Sequence, residues 1–525
     1  MRTPRQPEPL VLARINNVTK AEQKSPAARG NSNRLRWYSF YDMFHRTALL
    51  CAILSASGAS AQTAMFRGNP AHTGVYDSKG PAGFELKWRF KTRGKVRSSP
   101  AVVEGAVVFG SEDGHLYCLN AADGALRWKF FTGGDLSSSP AVAGGTAFFT
   151  GGDGQIYALD LETGKPRWVV KTGEARPWVY AKGKSPTWDY WLPSPVIAEG
   201  VLYTGALDGR VRAMDPKTGA VKWQFDTAGT IRSTPAVAAG VLYIGDMDGS
   251  LHALEAATGE EKWHAETTTA GLPNGEIQSS PAVAGGTVFF GARDGYVHAV
   301  DAATGQEKWK FSHSGSWVNT SPAVDGGTVF SGSSDGRFVQ AIDAQTGKEK
   351  WRFSANDRVF SSPAVADGKV YAATHGAVVF TLDAATGKEL GQIGTEGAVQ
   401  SSPVLDGGVL YVGSDDSALY AFTERPKKTR KAVTVEARLF DEYAGDYRVG
   451  AVHGVMKSEK GQLVLDVGAM GSVRFTPMSA TRFFFEPADI EIEFERDATG
   501  SISGFQFQQG DQELLWRRVP VAAPK

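Results

Sequence analysis

Few residues in this chain stand in an arrangement that does chemistry. Gly332-Ser333-Ser334-Asp335-Gly336 spells G-x-S-x-G, a pattern that presents a serine nucleophile when it joins a strand to a helix. Here it lies in a hairpin between two β-rich runs, so its context excludes a nucleophile elbow. Carboxylates recur at Asp113, Asp153, Asp208, Asp248, Asp294 and Asp335, each directly before a glycine. Asp-Gly is what a hairpin turn favours, whereas calcium needs several convergent oxygens. No G-x-x-x-x-G-K-[ST], H-E-x-x-H or Cys/His metal spacing occurs, and the nine histidines are scattered. Neither a catalytic residue nor a metal ligand can be assigned from these patterns.

A more coherent set stands three residues before each proline of a recurring phrase: Arg97, Ser137, Leu192, Arg232, Gln278, Asn319, Phe360 and Gln400. The residue before each is apolar (Val96, Leu136, Trp191, Ile231, Ile277, Val318, Val359, Val399), as alternation in a half-packed strand requires.

The elements that must position this set are repeats. The phrase runs close to S-S-P-A-V, V-x-Y/F-x-G, D-G-x-x-x-A-L-D-A-x-T-G-K-x-x-W-x-F, and its prolines are Pro100, Pro140, Pro195, Pro235, Pro281, Pro322, Pro363 and Pro403. A period of roughly 40 to 45 residues is that of a β-propeller blade. The second copy reads as strands Ser137 to Val142, Thr146 to Thr150, Gln155 to Leu159 and Pro166 to Val170, separated by glycine-containing hairpins. After Phe422 the last copy lacks its Trp strand, while Phe84 to Phe90 matches that strand without a blade of its own. These two ends are expected to complete an eighth sheet and close the ring. Trp88, Trp128, Trp168, Trp223, Trp263, Trp309 and Trp351 share one repeat position, with Leu390 in the seventh copy. They are expected to pack between neighbouring sheets, each indole N–H finding a partner.

Two connections depart from the repeat, Gly173 to Trp191 and Thr267 to Glu276. The first holds Trp178, Tyr180, Trp188, Tyr190 and Trp191, and a milder departure, Ser312 to Trp317, adds Trp317. Such connections emerge around the mouth of a propeller's channel. There Arg97, Arg232, Gln278, Asn319 and Gln400, with Trp178, Trp188 and Trp191, form a candidate ligand-binding surface, since Trp, Tyr and Arg dominate interface hot spots. The alternative is a local aromatic core beside a ring that binds only channel water.

Composition narrows the partners. In 525 residues, 56 Lys and Arg balance 56 Asp and Glu, so no global field draws nucleic acid or acidic lipid. Residues 1–42 read as disorder or an over-extended start, whether translation begins at Met1 or Met43. From Met43 a short basic region, the apolar run Ala48 to Leu54 and Ala59-Ser60-Ala61 form a secretory signal peptide over 43–61, too short to span a membrane. Cleavage near Ala61 places the mature chain, without a transmembrane segment, in the periplasm or outside. Cys51 leaves with the signal peptide, so Cys118 is the single thiol and no internal disulfide forms.

The repeats, notably Gly110 to Phe130 and Gly291 to Phe311, resemble the pyrroloquinoline-quinone-type propeller repeat, and the lead-in Phe66 to Gly74 resembles the family's entry segment. The resemblance covers about residues 64–422. It implies an eight-bladed propeller, and the family includes quinone-dependent alcohol dehydrogenases, an outer-membrane assembly lipoprotein and binding proteins. The dehydrogenases hold the quinone on the axis between a Trp floor and two adjacent disulfide-bonded cysteines, with a calcium held by Glu, Asn and Asp. This chain has no adjacent cysteine pair, so that cap cannot be built.

The reading is all-β: lead-in 62–83, propeller 84–422, basic linker 423–434 as a solvated tether, a small antiparallel β-barrel or half-barrel over 435–519, and a tail 520–525. In the barrel segment Ile490, Ile492 and Phe494 alternate with Glu491, Glu493 and Glu495, a strand with one buried face. The segment resembles the lipocalin-like domain that follows serine β-lactamase-like peptidases, whose catalytic serine lies in the partner domain; no Ser-x-x-Lys occurs here. The expected function is a secreted, non-catalytic binding or assembly scaffold whose propeller mouth engages a protein or cell-envelope ligand, with no cofactor. The alternative is a dehydrogenase using pyrroloquinoline quinone with calcium.

Overall fold

The computed structural model describes residues 64–172, 192–267, 275–355, 357–426, 430–450, 452–468, 471–485, 489–509 and 512–520. The chain divides into two compact units between Pro426 and Lys427. The first is a ring of eight four-stranded antiparallel sheets, and the second is a closed barrel of eight strands.

Seven blades are built from consecutive strands, as in Ala141–Ala143, Thr146–Thr150, Gln155–Asp160 and Pro166–Lys171 of the second. The innermost strand is shorter than the sequence implies. Ser137 to Pro140 stay outside the ladder because Pro140 has no N–H to give and the Ser139 N–H goes to Ser194 Oγ of the next blade.

The eighth sheet joins the two ends of the ring. Phe84–Lys91 lies beside Ala418–Glu424, with Leu86 opposite Phe422, Arg89 opposite Tyr420 and Phe90 opposite Leu419, and a register shift at Lys87. Every strand edge that sequence order would leave open is thereby paired.

Each repeat tryptophan donates its Nε1–H to a backbone carbonyl of the following blade: Trp88 to Ala121 at 3.1 Å, Trp128 to Leu161 at 2.8 Å and Trp351 to Ala384 at 2.9 Å. The indole lies against the T-G turn of that blade, which is D-G in the first, where a Cβ on Gly124 would sit 2.7 Å from the Trp88 ring at a φ of +73°. This explains Leu390. The eighth blade takes its outer strand from the start of the ring, so it has no T-G turn and no carbonyl to receive an indole.

The lead-in crosses the ends of the inner strands. Backbone N–H groups of Val237, Val283, Val324 and Val365 donate to the carbonyls of Pro70, Ala71, Thr73 and Gly74 at 2.7, 2.9, 2.8 and 2.8 Å. A single strap thus ties four blades, and Ala64 at its start pairs with Val142 of a fifth.

In the second unit the strands run from Gly445–Val449 to Gln512–Arg518, and closure is made by Tyr447 opposite Arg518. The interior is filled with rings: Tyr443 stacks on Phe494 at 3.8 Å, and Phe505 on Trp516 at 5.6 Å. Ile490, Ile492 and Phe494 face this core, but Glu491 is buried too, at 8% exposure. Arg430 reaches it at 3.0 Å and also engages Asp489. That guanidinium is therefore fixed in the barrel, not part of a solvated tether.

Candidate functional site

The S-S-P segment sets the geometry of the mouth. The first hydroxyl serves its own blade, as where Gly110 N–H donates to Ser98 Oγ at 3.1 Å and Gly245 N–H to Ser233 Oγ at 3.0 Å. The second serves the next. Ser99 N–H donates to Ser139 Oγ at 3.0 Å, Ser139 to Ser194 at 2.9 Å, Ser194 to Thr234 Oγ1 at 3.1 Å and Thr234 to Ser280 at 2.9 Å. The chain continues from Ser280 to Ser321 at 3.0 Å, Ser321 to Ser362 at 2.9 Å, Ser362 to Ser402 at 3.2 Å and Ser402 back to Ser99 at 2.9 Å. Eight blades are joined by one closed circle of backbone-to-hydroxyl hydrogen bonds. The signal was present in the sequence as a Ser or Thr before every repeat proline, and the reading of the mouth did not use it.

Seven of these hydroxyl residues line an axial cavity of about 460 Å³, its open mouth included, together with Phe66 from the strap. Two residues earlier in their copies come Ser137, Leu192, Arg232, Gln278, Asn319 and Phe360, which line the same cavity. Three of the expected binding residues, Arg232, Gln278 and Asn319, are thus brought together. Gln278 Oε1 accepts from Arg293 Nη2 at 3.0 Å, and the Arg293 guanidinium is seated over the Trp317 ring at 4.9 Å and paired with Glu276.

Arg97 and Gln400 have a different place. Arg97 Nε and Nη2 grip Asp415 at 2.9 and 2.8 Å, its Nη1 lies 3.0 Å from Glu112, and Gln400 Nε2 reaches the same Asp415 at 3.4 Å. This bidentate pair joins the first blade to the eighth and holds both groups away from the cavity lining. Burial pushes the Glu112 carboxyl above the usual range, with Arg97 opposing. Burial acts the same way on Asp415, but Arg97 and Lys95 outweigh it and hold that carboxyl low. Trp178, Trp188 and Trp191 lie outside the described residues.

The turn aspartates serve their hairpins. Asp113 accepts from the Tyr117 hydroxyl at 2.7 Å, Asp208 from Arg212 Nη1 at 3.2 Å, and Asp294 meets His298 Nε2 at 2.9 Å. Ser333 and Ser334 of the G-x-S-x-G match are buried and donate to Ser316 Oγ and the Trp317 carbonyl, each at 2.9 Å. Cys118 packs in the core between the first two blades, where burial pushes its thiol up to about 11. The thiolate is the reactive form, so Cys118 is expected to stay unmodified by Ellman's reagent at about pH 8 in the native chain and to react once denaturant is added.

The described lining contains no carboxylate, the charged ligand type on which calcium sites commonly draw. Among the described residues no group of three or more His, Cys, Asp or Glu is gathered.

A ring of eight four-stranded blades with an axial cavity defines an eight-bladed β-propeller. Residues 81–190, 183–310 and 293–422 match the family described as outer membrane protein assembly factor BamB, and the chain belongs to that family. Among solved structures, BamB from Moraxella catarrhalis is similar at 19% identity and a TM-score of 0.53, over 65% of this chain and 99% of that one. Quinohemoprotein alcohol dehydrogenase from Comamonas testosteroni is similar at 14% identity and a TM-score of 0.58, over 72% and 83%. The computationally designed Ika8 protein gives 18%, 0.55, 65% and 100%. At such identities the likeness is one of fold. No curated protein matches.

Proposed function

We propose that this chain is an extracytoplasmic binding or assembly scaffold whose propeller mouth engages a protein or cell-envelope ligand. One observation carries the reading: the mouth gathers Arg232, Gln278 and Asn319 around a cavity that holds no carboxylate, thiol or imidazole among its described lining residues. Such side chains supply the polar contacts of a recognition surface. Membership of an assembly-factor family and the signal-like segment 43–61 support the location, and no helix among the described residues is long and apolar enough to cross a membrane. No cofactor takes part in this reading.

The test is capture from envelope extract by the full chain, compared with a variant carrying Trp188→Ala, Trp191→Ala and Arg232→Ala. We expect capture to fall by about tenfold, the size of one hot-spot loss, with the melting temperature nearly unchanged. Undiminished capture by a destabilised variant would assign these side chains to packing. Turnover of alcohols after addition of pyrroloquinoline quinone and Ca²⁺ would overturn the scaffold reading.

A further inference from the structure

We infer that the strap is an acid-released plug of the axial channel: a proton on His72 undocks residues 64–76 while the ring of blades stays closed. This holds whatever the mouth binds.

The bonds of the strap place it in the channel. The first strand of each blade follows directly on the hydroxyl circle that lines the axial cavity, and one of its edges is unpaired within the sheet. The strap satisfies that edge on five blades. Ala64 exchanges two hydrogen bonds with Val142 of the second blade, and the carbonyls of Pro70, Ala71, Thr73 and Gly74 accept from Val237, Val283, Val324 and Val365 of the fourth to the seventh. A segment bonded to inner edges on both sides of the ring lies across the axis. Phe66, between the two sets of bonds, joins the cavity lining. Release of the strap therefore takes Phe66 away and clears the axis, without opening the seam that begins at Phe84.

Docking is achieved against resistance. Arg67 and His72 hold left-handed backbone, at φ of +62° and +56°, which is costly for a residue with a side chain. Both are buried, at 1% and 0% exposure. Arg67 Nη2 donates to the Pro322 carbonyl at 3.0 Å, but its Nε and Nη1 have no partner. His72 lies beside the Pro281 carbonyl, yet neither ring nitrogen reaches hydrogen-bond geometry with any group. Polar groups buried with so few partners oppose the strap's own hydrogen bonds.

Acid adds to that resistance. The Arg67 guanidinium is the one charged group facing His72; the blades present the Pro281 carbonyl and the strap the Phe66 ring, edge-on at 5.8 Å. Tyr76 faces Arg67 in turn, and burial raises its phenol to about 12, so it stays neutral. Among the described residues no carboxylate faces either group. A proton on His72 thus sets a second buried cation beside the first, with nothing to compensate it. The free strap accepts this proton near the ordinary value of 6.5, the docked strap only at about 3, chiefly through burial. Docking is therefore favoured above 6.5 and weakens as pH falls toward 3, by about thirtyfold at pH 5.

The experiment is hydrogen exchange of the full chain at about pH 7.5 and pH 5, corrected for intrinsic exchange. The amides of Val237, Val283, Val324 and Val365 report the strap, because strap carbonyls are their acceptors. The amides of Ser280, Ser321 and Ser362 report the closed circle. The strap set should open about thirtyfold more at the lower pH, with the circle set better protected at both. His72→Leu should abolish the pH dependence of the strap set, and His72→Lys should open that set at the higher pH already. Should the lysine variant fail to fold, the leucine variant still decides. Equal protection of the strap set at both pH values, an unchanged pH dependence in folded His72→Leu, or exchange of the two sets together at pH 5 overturns the inference. Envelope capture is measured at neutral pH with the strap docked, so such a failure leaves the scaffold reading standing.

Discussion

A chain lacking residues 84–91 is expected to lose its native propeller, with no cooperative unfolding transition for the first unit. Phe84 and Trp88 from this strand are 2% and 8% exposed, and truncating a buried Phe or Trp to Ala costs about 3–5 kcal/mol. The two together approach the whole stability of a typical domain, about 5–15 kcal/mol. Single substitutions separate burial from mere presence on the strand. Phe84→Ala and Trp88→Ala should each lower the free energy of unfolding in urea by about 3–5 kcal/mol. Leu86→Ala, at a position 48% exposed, should change it by less than about 0.5 kcal/mol. Equal effects at all three positions would mean that the ring does not depend on the seam.

Acid should weaken the fold in a window set by two histidines. His72, in the strap, is fully buried; burial foremost, and the nearby Arg67 guanidinium, bring its imidazole down to about 3. His313 is 2% exposed, and burial, then Arg352, brings it down to about 3 as well. Between an unfolded value near 6.5 and these folded values the unfolded chain binds protons that the folded chain refuses. Stability therefore falls as pH drops through that interval. At pH 5 the loss is on the order of 2 kcal/mol for each histidine relative to neutral pH. His252 works in the opposite sense. Burial lowers it, but Asp246 and Glu261 together outweigh burial and raise it, so its contribution is present in acid and lost as pH rises through its folded value. The pair of buried imidazoles outnumbers it. Unfolding free energies at about pH 7 and pH 5 should differ by about 4 kcal/mol in the parent chain, less whatever His252 offsets. The difference should be less than half as large in a His72→Leu, His313→Leu variant, and a pH-independent parent would refute the assignment.

Much of the ring could be read from the chain because its information is periodic. Eight prolines at nearly constant spacing fix the blade count, and an orphan Trp strand at one end facing an incomplete copy at the other fixes the seam. The strap could not be read in this way. Pro70, Ala71, Thr73 and Gly74 act through backbone carbonyls, and a carbonyl is the same whatever the side chain. Arg97 and Arg232 occupy the same repeat position, yet one is spent on Asp415, 318 residues away, and the other lines the cavity. A residue type at a repeat position does not name its partner. Gln278 stood out in the sequence, whereas Arg293, which decides which end of its amide meets the cavity, did not.

The seam also orders events in time. The strand that begins the ring can find its neighbour only after the last repeat has been made, so this sheet is completed across more than three hundred residues of intervening chain. Contacts that distant in sequence form slowly. Until they form, Ala418–Glu424 offers an unsatisfied ladder to any extended segment nearby. Newly made copies are therefore most vulnerable to mispairing with one another in the interval before that final zipper shuts.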